Sequence, residues 1–461
     1  MWEDSLAKTD LEGQSKSLDF GITSLSKKAD TLVIILIILV SASIIIFSLQ
    51  FRIFHLWLEF FQSNALLKTI FYPAVLSLVF IISGIIFRTI IWFRYRPTKA
   101  EHGEEIDWPM VSVIMPALNE EELINDSIDS IFRSDYPKDR FEVICVNDGS
   151  TDATLFHMMN ARQKYGEKLK VVNFRINQGK RKALHAGIKK SQGEIIVTAD
   201  TDSRIEKDAI KNLVLPLVKD DRTGAVAGRV EVLNEKDNFL TRMLAIRYSI
   251  SFNFGRAYQS VYGAVFCCPG ALTAYRKKVL MTFIHRWVNQ RFLNAQCTYG
   301  EDRSLTTEIL KAGYLTRFQS NAVVLTKVPS TFLQMNRMYL RWTRSYIRES
   351  MLFAKFMFSN YRKEHRILPI LDFFFLNFLH PFHIFALGFV LYSFYVNPIF
   401  ILRHFAVLVI FSFLLSLYYL RTKKSLTFLY GIPYAFITAF CLWWIVPFAA
   451  FTLRSQSWMT R

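Results

Sequence analysis

Between Thr31 and Phe51 the chain carries no charged residue, over about the length that takes an α-helix across a bilayer. A second apolar stretch, Thr69–Phe87, ends at Arg88. Lys27 and Lys28 precede the first stretch, but a long mixed-charge leader comes before them and no small-residue cleavage site follows. The segment therefore reads as an anchor, not a signal peptide. Apolar sequence returns toward the other end. Phe373–Val396 and Pro398–Leu420 each suit one spanning helix, the second with Arg403 near one end. Leu426–Leu453 is interrupted by Gly431, Pro433 and Pro447. This gathering at both ends accounts for a hydrophobic share of 52%, high for a soluble protein.

The net charge of +18 fits basic cytoplasmic loops and interfacial helices under the positive-inside rule, and is compatible with a basic cavity for phosphorylated substrates. The basic loop Arg421–Lys424 and the Arg94–Glu105 stretch both read as cytoplasmic. No basic run is interleaved with a nucleic-acid-binding module, so no nucleic-acid partner is expected. The 5 cysteines, an odd number without zinc-site spacing, give no disulfide framework. Adjacent Cys267 and Cys268 are too close for an ordinary bridge, and Cys145 falls in an apolar run. A reducing cytosolic setting fits the middle of the chain.

From about Val111 to Ser330 the pattern is that of an α/β domain. Short apolar runs at Val111–Met115, Glu142–Asn147, Leu169–Phe174 and Glu194–Thr198 alternate with helix-like segments, the rhythm of parallel strands covered by helices. Ligands in such sheets bind beyond the carboxyl ends of the strands. Polar residues cluster there: Asn119 and Glu120 after the first run, Asp148 after the second, Gly179–Lys182 after the third, Asp200–Asp202 after the fourth.

Asp200-Thr201-Asp202 offers carboxylates at i and i+2, which face one side in extended backbone. Mg²⁺ takes one or two carboxylates plus phosphate oxygens, so the pair suits a metal-bound diphosphate; an acidic turn is the plain alternative. Asp148 could accept from a nucleobase or ribose, with Gly149 letting backbone approach a ligand, or could be an ordinary turn. Lys180, Arg181 and Lys182 offer cations near a helix start, either for phosphate or as a solvated face. Glu301 and Asp302 precede a helical pattern, Leu305–Ala312, where acids also serve as caps; a general base is the functional reading. Arg341-Trp342-Thr343-Arg344-Ser345 lies in a basic-aromatic segment, Met335–Phe358, that reads as an amphipathic interfacial helix.

Taken together, Asn147-Asp148-Gly149, Gly179-Lys180-Arg181, Asp200-Thr201-Asp202, Gln290-Arg291-Phe292-Leu293 with Cys297 to Arg303, Arg341 to Ser345 and Trp458 to Arg461 resemble processive family 2 glycosyltransferases. The resemblance is greatest to hyaluronan synthases, relatives of chitin, chitooligosaccharide and cellulose synthases. It covers Val111 to the C-terminus. It implies an α/β plus α-helical membrane protein: a GT-A-type, Rossmann-like cytosolic domain between N- and C-terminal transmembrane helices. The divisions expected are a polar tail at 1–29, two spans within 30–95, the catalytic domain at 105–332, amphipathic helices at 333–368, a membrane region at 369–453 and a gating motif at 454–461.

The implied activity is inverting polymerisation of UDP-sugars into a β-linked polysaccharide at the cell membrane, with translocation of the product. UDP-N-acetylglucosamine and UDP-glucuronate would be the donors, the growing polysaccharide and membrane lipids the other partners, and Mg²⁺ or Mn²⁺ the cofactor. A chitin-like synthase using UDP-N-acetylglucosamine alone, or a non-processive transferase acting on a lipid, is the alternative. By the same resemblance Asp302 would be the catalytic base. Asn119, Asp148, Lys180, Asp200, Arg341, Trp458, Thr460 and Arg461 would hold the nucleotide sugar, Asp200 and Asp202 the metal, Trp342 and Glu301 the acceptor. Two positions depart from the family's pattern: Met338 stands where it has glutamine, with Gln334 a substitute, and Met459 where it has glycine. Cytosolic UDP-sugars and a cytosolic terminal motif require that Leu426–Leu453 not cross fully, which leaves four spans.

Overall fold

The computed structural model describes residues 31–63, 65–362, 364–378 and 382–455. The expected N-terminal tail and Trp458, Thr460 and Arg461 lie outside the described residues. The four apolar runs form strands: β1 (Val111–Ala117), β2 (Phe141–Asp148), β3 (Leu169–Phe174) and β4 (Ile195–Ala199). β1 and β2 are buried at every position because helices cover both faces. The crossovers β1–β2, β2–β3 and β3–β4 each contain a helix, Ile124–Phe132, Thr154–Tyr165 and Lys180–Lys190. Pairing continues to the rim, where Asp148 still faces Phe174, so the second run ends at Asp148 and not before it.

The sheet then departs from a purely parallel one. β5 (Ser203–Ile205), β6 (Thr223–Val232), β7 (Leu272–Arg276) and β8 (Leu315–Thr326) extend it to the order β3-β2-β1-β4-β7-β6-β8-β5. β7 runs antiparallel to both β4 and β6, and β5 antiparallel to β8. β6 and β8 are parallel, with a register shift between Gln319 and Val323.

Among the described residues three helices are long and apolar enough to cross a membrane. Thr31–Gln50 corresponds to the first expected span. The second, Leu76–Phe93, belongs to the helix Ala65–Phe93, which contains the expected stretch Thr69–Phe87. The third is Phe400–Leu420. The expected single span Phe373–Val396 is described as two helices, Ile367–Asn377 and Phe382–Val396, on either side of residues outside the description. The glycine- and proline-interrupted stretch is a helix pair, Leu426–Cys441 and Ile445–Phe451, bent by 47°.

The apolar helices are keyed to the sheet domain at three places. Lys423, which the sequence placed in a basic loop, is the last residue of the helix Phe400–Lys423 and reaches Glu231 of β6 at 2.7 Å. Leu442, Ile445 and Ala449 of the bent pair share a buried cluster with Val232, Leu244, Met335 and Met338. A third link is polar. Asp372 of the Ile367–Asn377 helix is fully buried and accepts from Arg88 Nε (2.9 Å), Tyr262 Oη (2.8 Å) and Gln259 Nε2 (3.2 Å). A buried carboxylate is stable only when its lone pairs are occupied in this way. Replacing Asp372 by Leu strands Arg88 and should destabilise the protein by about 3–5 kcal/mol, while adding Arg88→Leu should restore a large part of the loss. Melting of the two detergent-solubilised variants checks this: equal melting temperatures would show that the pair is not coupled.

Candidate active site

The carboxyl rim of β1–β4 gathers most of the residues singled out in the sequence. Lys180, the first residue of its helix, projects between two carboxylates. Its Nζ lies 2.6 Å from Asp200 Oδ1 and 3.3 Å from Glu301 Oε1. Asp200 follows the end of β4, whereas Glu301 opens the helix Glu301–Lys311. Asp302, next along that helix, lines the same small cavity as Lys180, Asp200, Pro116 and Tyr275. The Cys267 Sγ lies 3.9 Å from Asp302 Oδ2.

This arrangement separates two neighbouring acids. Burial alone would raise both. For Glu301 the charge of Lys180 prevails and holds the carboxyl below its ordinary range. For Asp302 burial, reinforced by the adjacent Glu301 charge, raises the carboxyl. Burial would lower the Lys180 ammonium, but attraction from Asp200, then from Glu301 and Asp302, holds it above its ordinary range. Two carboxyls pushed in opposite directions within one site are suited to different chemical roles.

Asp148 works at the same rim, but not as a free acceptor. Its two carboxylate oxygens receive the Gln178 N–H (2.8 Å) and Gly179 N–H (2.9 Å), which fixes the loop leading into Lys180. Gly149 is also needed for a different reason from the one read in the sequence. At φ +76° a Cβ would fall 2.4 Å from the Asn177 nitrogen, so the glycine admits the protein's own loop. Asn119 is a strut, accepting from the Thr151 N–H at 2.9 Å while its own N–H donates to Ser150 Oγ at 3.0 Å.

Asp200 and Asp202 stand at a turn and not in the extended backbone that would set both carboxylates on one side. A turn separates β4 from β5, and Asp202 accepts from Ser203 Oγ and from Thr326 Oγ1 at the end of β8, each at 3.2 Å. Among the described residues no group of three or more His, Cys, Asp or Glu could hold a metal ion. Asp202 with Asp200 matches a hard cation that completes its shell with phosphate oxygens, so any metal here depends on the nucleotide.

The helix Phe332–Phe356 packs against the start of the helix that bears Glu301 and Asp302. Trp342 is 37% exposed and packs against Tyr248 (centroids 6.0 Å) and Tyr339 (5.7 Å). Tyr248 is also within the electrostatic reach of Asp202 and Arg341, and Glu301 within that of Arg341. The structure thus brings Asp202, Glu301, Arg341 and Trp342 to one place. Met338 is buried with its sulfur 4.0 Å from Tyr248 Oη. Gln334 does not stand in for it: it is exposed at the helix start and shares a hydrogen bond with Thr331.

Several residues support the site in ways the sequence did not show. Arg181 is neither a solvated cation nor a phosphate ligand; it is buried over Trp287 and donates to Trp287 O (2.6 Å) and Gln290 Oε1 (2.9 Å). Gln290 also accepts from Ser304 at 2.7 Å. Arg348, buried beside Glu349, donates to the Tyr299 carbonyl at 2.9 Å. The dense Arg-aromatic run was visible, but which arginines face inward was not. Gly300, at φ +71°, lies so close to the long helix that a Cβ would fall 2.4 Å from Ser345 Cβ. Gly300→Ala should therefore combine backbone strain with a clash, lowering stability by about 2–4 kcal/mol and displacing Glu301 and Asp302. Melting together with a nucleotide-binding assay checks it; an unchanged melting temperature would refute the contact.

Residues 112–283 match the family model described as glycosyl transferase family 2. N-acetylglucosaminyltransferases of Mesorhizobium japonicum and Rhizobium meliloti are similar to this chain. The first is 34% identical over 257 residues, 56% of this chain and 60% of the relative. The second is 35% identical over 254 residues, 55% of this chain and 59% of the relative. The chain thus spans about three-fifths of the length of the curated relatives it matches. A mannosyltransferase from Pyrobaculum calidifontis, solved with GDP-mannose and Mn²⁺, shares the fold at 22% identity. Its TM-score is 0.56, with 79% of this chain and 97% of that one covered.

Proposed function

We propose that this chain, which carries a glycosyltransferase family 2 domain, transfers N-acetylglucosamine from UDP-N-acetylglucosamine to a growing β-linked glycan at a membrane surface. The observation that carries this reading is the Lys180 clasp, which leaves Glu301 ionised and Asp302 raised at one sheet rim. The names of the relatives support the donor, and favour the single-donor alternative over a paired N-acetylglucosamine–glucuronate polymer.

In this reading Asp302 takes the proton of the acceptor hydroxyl as that oxygen attacks the anomeric carbon and the bond to UDP breaks, inverting the centre. Asp148 shapes the nucleotide loop, with Asn119 bracing its neighbour. Lys180 holds Asp200 and Glu301 in place, and Arg341 faces the diphosphate. Trp342 offers its exposed edge to the acceptor sugar. Mg²⁺ or Mn²⁺, held by Asp202 with Asp200, would supply charge to the departing diphosphate. Trp458, Thr460 and Arg461 remain candidates for covering the nucleotide.

The membrane arrangement belongs to the same reading. The Lys423–Glu231 contact and the packing of the bent pair against Met335 and Met338 support a terminal segment that stays on the side of the sheet domain. Cytosolic donors place that side in the cytosol. Four crossings follow if Ile367–Asn377 and Phe382–Val396 share one passage.

Purified protein with Mn²⁺ should release UDP and form product from UDP-N-acetylglucosamine alone. Product that requires UDP-glucuronate as well would reinstate the paired-donor reading, and no turnover with either would remove the proposal. Asp302→Asn should lower turnover by at least about 10²-fold with UDP binding retained. The raised carboxyl also sets a pH limit: Asp302 acts only when ionised, so kcat/KM should fall with acid at a pH above the ordinary aspartate value of about 3.9. A pH profile flat down to that value would count against Asp302 as the base.

A further inference from the structure

The small cavity beside the Lys180 clasp is lined by more than its charged groups. Thr198 of β4 and Tyr275 of β7 also reach it. In the antiparallel register of these strands Thr198 stands opposite Thr273, and Ile196 opposite Tyr275. The hydroxyl-bearing side chains at 198, 273 and 275 therefore leave the sheet on one face. Pro116, Leu184 and Leu305 give the cavity its apolar lining.

Thr198 is 4% exposed and Tyr275 1%. Among the described residues neither Thr198 Oγ1 nor Tyr275 Oη has a hydrogen-bond partner. The Thr273 hydroxyl lies near Tyr275, but it donates to the Pro269 carbonyl at 2.6 Å and makes no bond of ordinary geometry with the phenol. Buried hydroxyls without a partner are rare, because each gives up its hydration for nothing. Two of them lining one cavity point to a shared partner. The cavity has room for the centre of one water molecule, about 10 Å³, and for no sugar ring.

A buried water makes about three hydrogen bonds. Here two O–H groups can donate to it, and a carboxylate can accept the third. Asp200, Glu301 and Asp302 all line the cavity, and Asp302 is the carboxylate whose charge bears on the Tyr275 hydroxyl. Its oxygens keep lone pairs for the purpose. Oδ1 accepts from the Arg303 N–H at 2.7 Å, and the Cys267 sulfur stands 3.9 Å from Oδ2.

We propose that one water is bound in this cavity, accepting from Tyr275 and Thr198 and donating to Asp302, and that both hydroxyls are thereby positioning residues for the base. Held in this way the Asp302 carboxylate keeps one orientation, and its ionised form gains a hydrogen bond. The part played by Asp302 rests on the proposed function. The water site does not.

A density map of the detergent-solubilised protein, fine enough to show ordered solvent, should place a water within hydrogen-bonding distance of Tyr275 Oη, Thr198 Oγ1 and Asp302. A map without solvent there overturns the proposal, whether or not any variant folds. Melting gives an independent test. An unpartnered hydroxyl can be replaced by an apolar group of the same shape without loss, whereas one bonded to water cannot. Tyr275→Phe and Thr198→Val should each lower the melting temperature by about 2 °C, and the double variant by less than their sum, because both release the same water. Unchanged or raised melting temperatures, or additive losses, would count against it.

Turnover reads the positioning role. Losing a hydrogen bond to the ionised carboxylate raises Asp302 further, so in Tyr275→Phe the acid limb of kcat/KM should move up by about one pH unit, with KM for the nucleotide sugar unchanged. Lys180 and Asp200 across the cavity, Glu301 and Arg303 on the same helix, and the thiols of Cys267 and Cys268 also face Asp302, and the substitution leaves all of them in place. An unmoved limb removes Tyr275 as a positioning residue. Absence of turnover in the unsubstituted protein strikes the proposed function instead, and the map and the melting curves still decide the water.

Discussion

Three carboxyl groups, Asp200, Glu301 and Asp302, are brought to one poorly hydrated rim, and a single ammonium, Lys180, makes that tolerable. Without it the carboxylates would repel one another. With it Glu301 stays charged, while burial and the Glu301 charge keep Asp302 raised against the pull of Lys180, as a proton acceptor requires. The clasp also links separate parts of the chain: the end of β4, the loop set by Asp148, and the helix that opens at Glu301. The positions of all three follow from one ion-pair geometry.

The Phe332–Phe356 helix carries this arrangement to the rest of the molecule. On one side Arg348 holds the Tyr299 carbonyl and Ser345 packs against Gly300, fixing the helix that bears Asp302. On the other, Arg344 donates to Thr452 Oγ1 at 2.9 Å, at the end of the bent apolar pair. Rigid packing of this kind transmits small displacements. The rim and the apolar helices thus pack against the same helix, which also carries Arg341 and Trp342.

Much of the fold was legible because burial leaves a direct trace in sequence. The first four strands appear as short, largely apolar runs, and the membrane-length helices as long apolar stretches with at most one charged residue each. β6 and β8 were not legible. Arg229, Glu231, Arg317 and Gln319 interrupt their apolar character, and a register shift breaks β8. Their pairing depends on partners that lie far away in the chain. The bend between Cys441 and Ile445 was legible in outline, through Gly431, Pro433 and Pro447, but its packing partners were not.

The sequence by itself determined which chemical groups stand at the strand ends, because a parallel sheet always delivers the residues after its strands to one rim. The tertiary structure alone decided what each group touches. It turned Arg181 inward onto Trp287, engaged Asp148 with backbone, gave Asp200 to Lys180 and Asp202 to Ser203 and Thr326, and placed Arg247, Arg256 and Arg303 in one cavity. Charge, hydrogen-bond occupancy and desolvation act over a few ångströms between residues tens to hundreds of positions apart. No local pattern of residue types encodes those distances.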